Sequence, residues 1–156
     1  MQRPILWIHG EAIGPANPAL MAYPAQPAVF VFDSLLLAGG SPTTGDPASP
    51  TEPVSLKRIG FLYECLLELP VSLRKGDVVE EVLAFARAHH ADGIVTSAGT
   101  DPRVEAICQS LEQHFPVQRL AVEPFVELEG PVDLGRFGRY WRRAESEVWA
   151  GWRQEV

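Results

Sequence analysis

Short, unbroken apolar runs alternate along most of this chain with segments whose apolar residues recur at helical spacing. The strand-like runs are Ile5-Leu6-Trp7-Ile8, Ala28-Val29-Phe30-Val31-Phe32, Val71-Ser72-Leu73, Gly93-Ile94-Val95-Thr96-Ser97 and Val117 to Val122. A run that is apolar on both faces is the mark of a strand buried inside a parallel sheet. Between the first two, Asn17-Pro18 offers a capping amide and a first-turn proline ahead of Ala19-Leu20-Met21. Ile59, Leu62, Tyr63, Leu66 and Leu67 fall at helical spacing, and Pro70 stops that helix. Asp77 with Glu80 opens the next helix, whose apolar face is Val79, Val82, Leu83 and Ala86. Asp101-Pro102 opens another, with Val104, Ile107, Cys108, Leu111 and Phe115 as its stripe. Strand and helix in alternation predict an α/β fold: a Rossmann-like, five-stranded parallel sheet with helices on both faces.

The α/β domain is expected to occupy residues 1–134, a length that supports one independent core. Within it, residues 39–53, GGSPTTGDPASPTEP, carry almost nothing to bury and read as a mobile surface loop. Residues 135–156 change character and predict an amphipathic helix. Phe137, Tyr140, Trp141, Ala144, Val148, Trp149 and Trp152 form its stripe, with Arg136, Arg139, Arg142, Arg143, Glu145 and Glu147 largely opposite. Such a stripe needs cover from the chain's own domain or from a partner, so Phe137, Tyr140, Trp141, Trp149 and Trp152 form the expected interface.

A net charge of −7 argues against broad attraction to nucleic acid or to an anionic membrane, both of which require concentrated positive charge. In the tail the aromatic and arginine residues are segregated rather than interleaved, which speaks against base stacking as well. The chain has neither a run of roughly 18 apolar residues nor a signal-type N-terminus, so the cytoplasm is the expected location. Cys65 and Cys108 lack metal or redox spacing and are expected as buried free thiols. The adjacent pair His89-His90 points about 100° apart on a helix and suits a helix C-terminus better than a metal.

The loop after the first strand, HGEAIGP, decides among chemistries. A hydrolase elbow needs Gly-x-Ser-x-Gly on a sharp strand-to-helix turn. Val95-Thr96-Ser97-Ala98-Gly99 lacks the first glycine, and the following helix starts only at Asp101-Pro102. Ser97 with His9 or His114 as base is therefore disfavoured. A dinucleotide fingerprint fails on the spacing of Gly10 and Gly14, and Glu11 would repel a phosphate. What remains is a crevice at the C-terminal ends of strands one, two and four, with His9, Gly10, Glu11, Asp33, Ser34, Ser97, Thr100, Asp101 and Arg103 as candidate ligand-binding residues. No catalytic residue and no metal ligand is expected among them.

Taken in order, the segments resemble the N-terminal α/β domain of the DNA photolyase and cryptochrome family. ILWIHGEAIGPANPAL is similar to the family's first strand, loop and Asn-Pro-Ala-Leu helix start, and PAVFVFD to its second strand. LKRIGFLYECLLEL resembles the Arg-x-x-Phe-Leu-x-Glu-Ser-Leu helix, with Arg58, Phe61, Leu62, Glu64 and Leu66 in register and Cys65 in place of serine. VSLRKGDVVEEVLAFARAHHADGIVTS follows the family's strand, Gly-Asp, helix and strand, and RFGRYWRR resembles its Phe-x-x-Phe-Trp-Arg segment. The family's Arg-Asp-Leu-Arg run in the first loop corresponds to the region near His9-Gly10-Glu11-Ala12-Ile13, without either arginine. Its Asn-x-Asp-Tyr-x-Pro pattern is represented by Ser97-Ala98-Gly99-Thr100-Asp101-Pro102.

The resemblance implies a stand-alone, non-catalytic antenna-type domain that takes a flavin mononucleotide, deazaflavin, folate or nucleotide-type ligand. Catalytic FAD is not expected, because the family holds it in a separate helical domain. The aromatic C-terminal helix points to a second copy as partner, and the resemblance to a separately encoded helical protein. Two alternatives stand beside it: a ligand-free interaction protein using the aromatic C-terminal helix, and, by fold analogy alone, a nucleotide-processing enzyme.

Overall fold

The computed structural model describes residues 1–38, 54–124, 126, 128, 130–133 and 135–152, without the side chain of Trp152. The segment 39–53, expected as a mobile loop, lies outside the described residues. The chain divides into two compact units, Met1–Val122 and Glu123–Val156.

The first unit is a five-stranded parallel sheet in the order β3-β2-β1-β4-β5. Its strands are β1 (Pro4–Ile8), β2 (Ala28–Asp33), β3 (Val71–Gly76), β4 (Gly93–Ser97) and β5 (Val117–Leu120). The helices are α1 (Pro18–Ala22), α2 (Ser34–Ala38), α3 (Leu56–Leu67), α4 (Val78–Ala88) and α5 (Pro102–Glu112). The expected fold class is the observed one. β5 ends at Leu120 rather than Val122, and β3 runs on to Gly76.

Burial on both faces explains why the central strands read as continuous apolar runs. Successive side chains of a strand point to opposite faces. Ile5 and Trp7 of β1, with Val29, Val31 and Ile94, join Val82 and Phe85 of α4 and Leu111 of α5 in one core cluster. Leu6 and Ile8, with Phe30 and Val95, join Ala19 and Leu20 of α1 and Leu66 of α3 in the other.

The helix starts are built as their sequences suggest. The Asn17 side chain accepts from the amides of Ala19 at 2.8 Å and Leu20 at 3.2 Å. Asp77 accepts from Glu80 at 3.0 Å, and Asp101 from Arg103 at 2.8 Å. Each carboxylate or amide satisfies donors that a helix cannot satisfy itself. His89 is the C-cap of α4, and His90 takes the left-handed φ of 50° just beyond it. α3 departs from expectation, because Tyr63 and Leu67 are exposed and Leu66 is its one fully buried residue. Cys108 is buried as expected, whereas Cys65 is only half-buried, since it lies on the flank of α3 and not beneath it.

The second unit contains α6 (Phe137–Trp152). Asp133 precedes it, accepting from the Gly135 amide at 2.9 Å and from Arg139 Nη1 at 2.6 Å. The Arg139 guanidinium, followed by that amide, holds the Asp133 carboxyl below the usual carboxylate range. Among the described residues no helix is long and apolar enough to cross a membrane.

Candidate functional site

The sheet order reverses direction between β1 and β4, and in open α/β sheets such a switch opens a crevice beyond the C-terminal strand ends. A cavity of about 370 Å³ lies there. Trp7 and Ile8 at the end of β1 and residues 30–33 at the end of β2 line it, together with Leu36 and Leu37 of α2, Ile59 and Leu62 of α3, and Val104 and Ile107 of α5. The polar part of its wall is His9, Glu11, Asp33, Arg58, Asp101 and Arg103. Apolar walls carrying a few placed polar groups are the usual makeup of a small-molecule site.

The first-strand loop is held over this cavity from several directions. His9 is buried, its Nε2 donates to the Ser97 carbonyl at 2.9 Å, and its Nδ1 accepts from the Glu11 amide at 3.4 Å. That pair of bonds suits a neutral imidazole carrying its proton on Nε2. The Asn17 side-chain amide donates to the Ala12 carbonyl at 2.6 Å, fixing the far end of the same loop.

Glu11 reaches across to the entry of α5. Its carboxylate accepts from the Thr100 hydroxyl at 2.7 Å, the Thr100 amide at 2.9 Å and the Asp101 amide at 3.2 Å. The Thr100 hydroxyl bond first, then the Asp101 amide, hold the Glu11 carboxyl below the usual carboxylate range. Backbone donors at a helix entry attract anions, and here Glu11 and Asp101 already occupy them. Gly99 makes the approach possible, because a Cβ there would collide with the Glu11 carboxylate and press on Val104 and His9.

A second clasp joins β2 to α5. Asp33 is buried, its Oδ1 accepts from the Leu35 amide at 2.8 Å, and its Oδ2 pairs with the Arg103 guanidinium. The Asp33 side chain thus serves as both helix-start acceptor and ion-pair partner.

Of the residues proposed from sequence, His9, Gly10, Glu11, Asp33, Asp101 and Arg103 lie together on the cavity wall. Thr100 is joined to them through Glu11 but is not itself on the wall. Ser34 begins α2 and Ser97 ends β4, and neither lines the cavity. The Ser97 hydroxyl is buried with no hydrogen-bond partner among the described residues, and His9 meets the Ser97 carbonyl rather than this hydroxyl. Arg58, Leu36 and Leu37 were not among the expected site residues. The available signal was the position of Arg58 one residue before Ile59 in a helix that returns to the same strand ends. Among the described residues no group of three or more His, Cys, Asp or Glu side chains converges as a metal site.

In the second unit, Phe137 stacks on Trp141 with centroids 5.9 Å apart and planes at 17°, and lies 6.2 Å from Tyr140. Phe137 and Trp149 are exposed, whereas Tyr140 and Trp141 are half-buried. The side chain of Trp152 lies outside the described residues.

No family model and no curated protein matches the chain. Among solved structures, a bacterial class III photolyase from Agrobacterium tumefaciens matches over 92% of this chain, with a TM-score of 0.56 and 16% sequence identity. The fold is photolyase-like. This chain spans 32% of the length of that photolyase, so the likeness covers about a third of the larger protein. Within the photolyase-like fold, the candidate site occupies the strand ends where the parallel order reverses.

Proposed function

We propose that the chain is a photolyase N-terminal-domain-like module that binds a planar aromatic ligand of flavin, deazaflavin, folate or nucleotide type, without catalysing a reaction itself. The observation that carries this reading is the cavity of about 370 Å³ at the ends of β1 and β2, apolar on most of its wall. A flat heteroaromatic ring suits such walls, gaining from area removed from water and from stacking near Trp7. A bound flavin or folate would supply absorption in the near ultraviolet or blue. The ordered first loop supports binding over hydrolysis, because the His9 ring is committed to backbone partners and the Ser97 hydroxyl meets no base among the described residues. Protein purified from its native host is expected to absorb beyond the tryptophan band. Colourless protein that also fails to bind added FMN and folate would overturn the reading.

A second reading rests on α6. The exposed Phe137, stacked on the half-buried Trp141, favours use of this helix for self-association or for a helical partner. Light scattering of the full chain and of a chain ending before Gly135 tests it. An assembly that becomes monomeric on truncation supports the reading, and a monomer in both cases counts against it.

A further inference from the structure

Helix α3 carries an apolar stripe outside the core. Leu56, Gly60, Tyr63 and Leu67 follow one another at intervals of four, three and four residues, the spacing of a seam that faces a second helix. Its large members are open to solvent, Leu56 by 85%, Tyr63 by 48% and Leu67 by 62%. The opposite side of the helix, marked by Leu66, is the one turned to the core. Gly60 sits in the middle of the stripe, where a Cβ would meet nothing within 4 Å. A glycine inside a helix weakens it relative to alanine, and nothing packed beside Gly60 in this chain calls for one. Lys57 and Glu64 flank the stripe on one side, both exposed and neither in an ion pair among the described residues.

We infer that α3 is a homodimer contact, in which the stripe packs antiparallel on the same stripe of a second copy about a twofold axis. Charge selects both this occupant and this direction. Antiparallel pairing sets Leu56 against Leu67 of the second copy and Gly60 against its Tyr63, so that the missing side chain makes room for a ring. The same register lays Lys57 beside Glu64 of the second copy, and the twofold axis repeats the pair. A parallel pair would instead stack Gly60 on Gly60 and Tyr63 on Tyr63. It would also turn Lys57 and Glu64 toward the side of Ile59 and Leu66, which carries no charge. The helix has 12 residues and a length of about 18 Å. Two helices of this length bury less than the roughly 1,200 Å² of a standard interface, so the dimer is a weak one that forms at high concentration. In dilute solution the stripe is bare, and its residues contribute little to folding stability.

The test is analytical ultracentrifugation of the full chain across a dilution series from about 5 to about 500 µM, a span that brackets a dissociation constant on the order of 100 µM. Monomer is expected at the dilute end and dimer at the concentrated end. Leu67→Glu changes an exposed position, so it should keep the urea midpoint of the dilute chain while weakening the dimer by about tenfold or more. Lys57→Glu and Glu64→Lys each turn two attractive pairs into repulsive ones and should each weaken the dimer about tenfold. Combining the two reversals makes both pairs attractive again, and the double variant should return to within about twofold of the native affinity. A chain that stays monomeric throughout the series overturns the inference. So does a dimer that survives Leu67→Glu, and its loss on truncation before Gly135 would assign the contact to α6 instead. Single charge reversals without effect, or a double variant that does not recover, overturn the antiparallel register.

Discussion

The Glu11 carboxylate and the Thr100 hydroxyl, 89 positions apart in the chain, meet at 2.7 Å and fasten the first-strand loop to the entry of α5. Two backbone amides complete the contact, so the loop is closed by one side chain with three donors. With Glu11 on these donors, the entry of α5 is taken up by an internal clasp.

The clasp is expected to depend on pH in a definite direction. The folded-state Glu11 carboxyl is held below its ordinary range, chiefly by the Thr100 hydroxyl and the Asp101 amide, so the unfolded chain binds its proton more readily. The stabilisation is therefore present above the ordinary glutamate range and is lost as pH falls through the lower folded value. Glu11→Gln should be less stable than the native chain at neutral pH, and the two should converge in acid. Urea midpoints measured across a pH series check this, and a gap that does not change with pH would show that the Glu11 charge plays no part.

Gly99 is expected to be coupled to Glu11. A Cβ at position 99 has no room beside the carboxylate, and the crowding extends to Val104 and His9. Gly99→Ala should cost about 1–3 kcal/mol, the usual range for overpacking. Glu11→Ala in the same chain removes the colliding group, so the double variant should lose less than the sum of the two single changes. Additive losses in denaturant unfolding would place the strain of Gly99→Ala elsewhere.

The Asp33–Arg103 pair gives a prediction that separates charge from capping. Removing Arg103 leaves a buried carboxylate with one remaining donor among the described residues, the Leu35 amide. Because Arg103 is itself partly exposed, Arg103→Ala should cost about 2–3 kcal/mol, below the range for a fully buried broken pair. Asp33→Asn keeps a side-chain oxygen for Leu35 and carries no stranded charge, so it should cost less than Arg103→Ala. The reverse order of urea midpoints would mean that the ion pair contributes little and that the capping oxygen is what matters.

The sheet was legible because β1, β2 and β4 are buried on both faces, and nothing but a central parallel strand explains runs such as Ile5 to Ile8 and Val29 to Phe32. The cap residues Asn17, Asp77 and Asp101 were legible for the same local reason, since each meets the amides that follow it. Helix α2 was not, because Ser34-Leu35-Leu36-Leu37-Ala38 has no periodicity and its one signal is the Asp33 carboxylate accepting from Leu35. The clustering of His9, Glu11, Asp33, Asp101 and Arg103 followed from a rule of topology, since each sits just past or near a strand end. Arg58 escaped that rule because it belongs to a helix, and only packing of α3 brings it to the same cavity. The internal pairing of Glu11 with Thr100 was equally hidden, since no local pattern links residues so distant in the chain.

Helix α3 shows how spacing alone misassigns a face, and it supplies the last prediction. Its apolar residues occupy more of the circumference than the core can cover: Leu66 is buried in contact with the α1 side of the sheet, while Tyr63 and Leu67 project outward. Both leucines fit a 3.6-residue period with Ile59 or Tyr63, so the pattern admits either as core. Truncation distinguishes them. Leu66→Ala should cost about 2–5 kcal/mol, as for a fully buried leucine that leaves a cavity. Leu67→Ala should stay within about 0.5 kcal/mol of the native chain, as exposed substitutions do. Denaturant unfolding of the two variants side by side measures the difference, and a Leu67→Ala loss comparable to that of Leu66→Ala would show that the outer stripe of α3 is covered in solution.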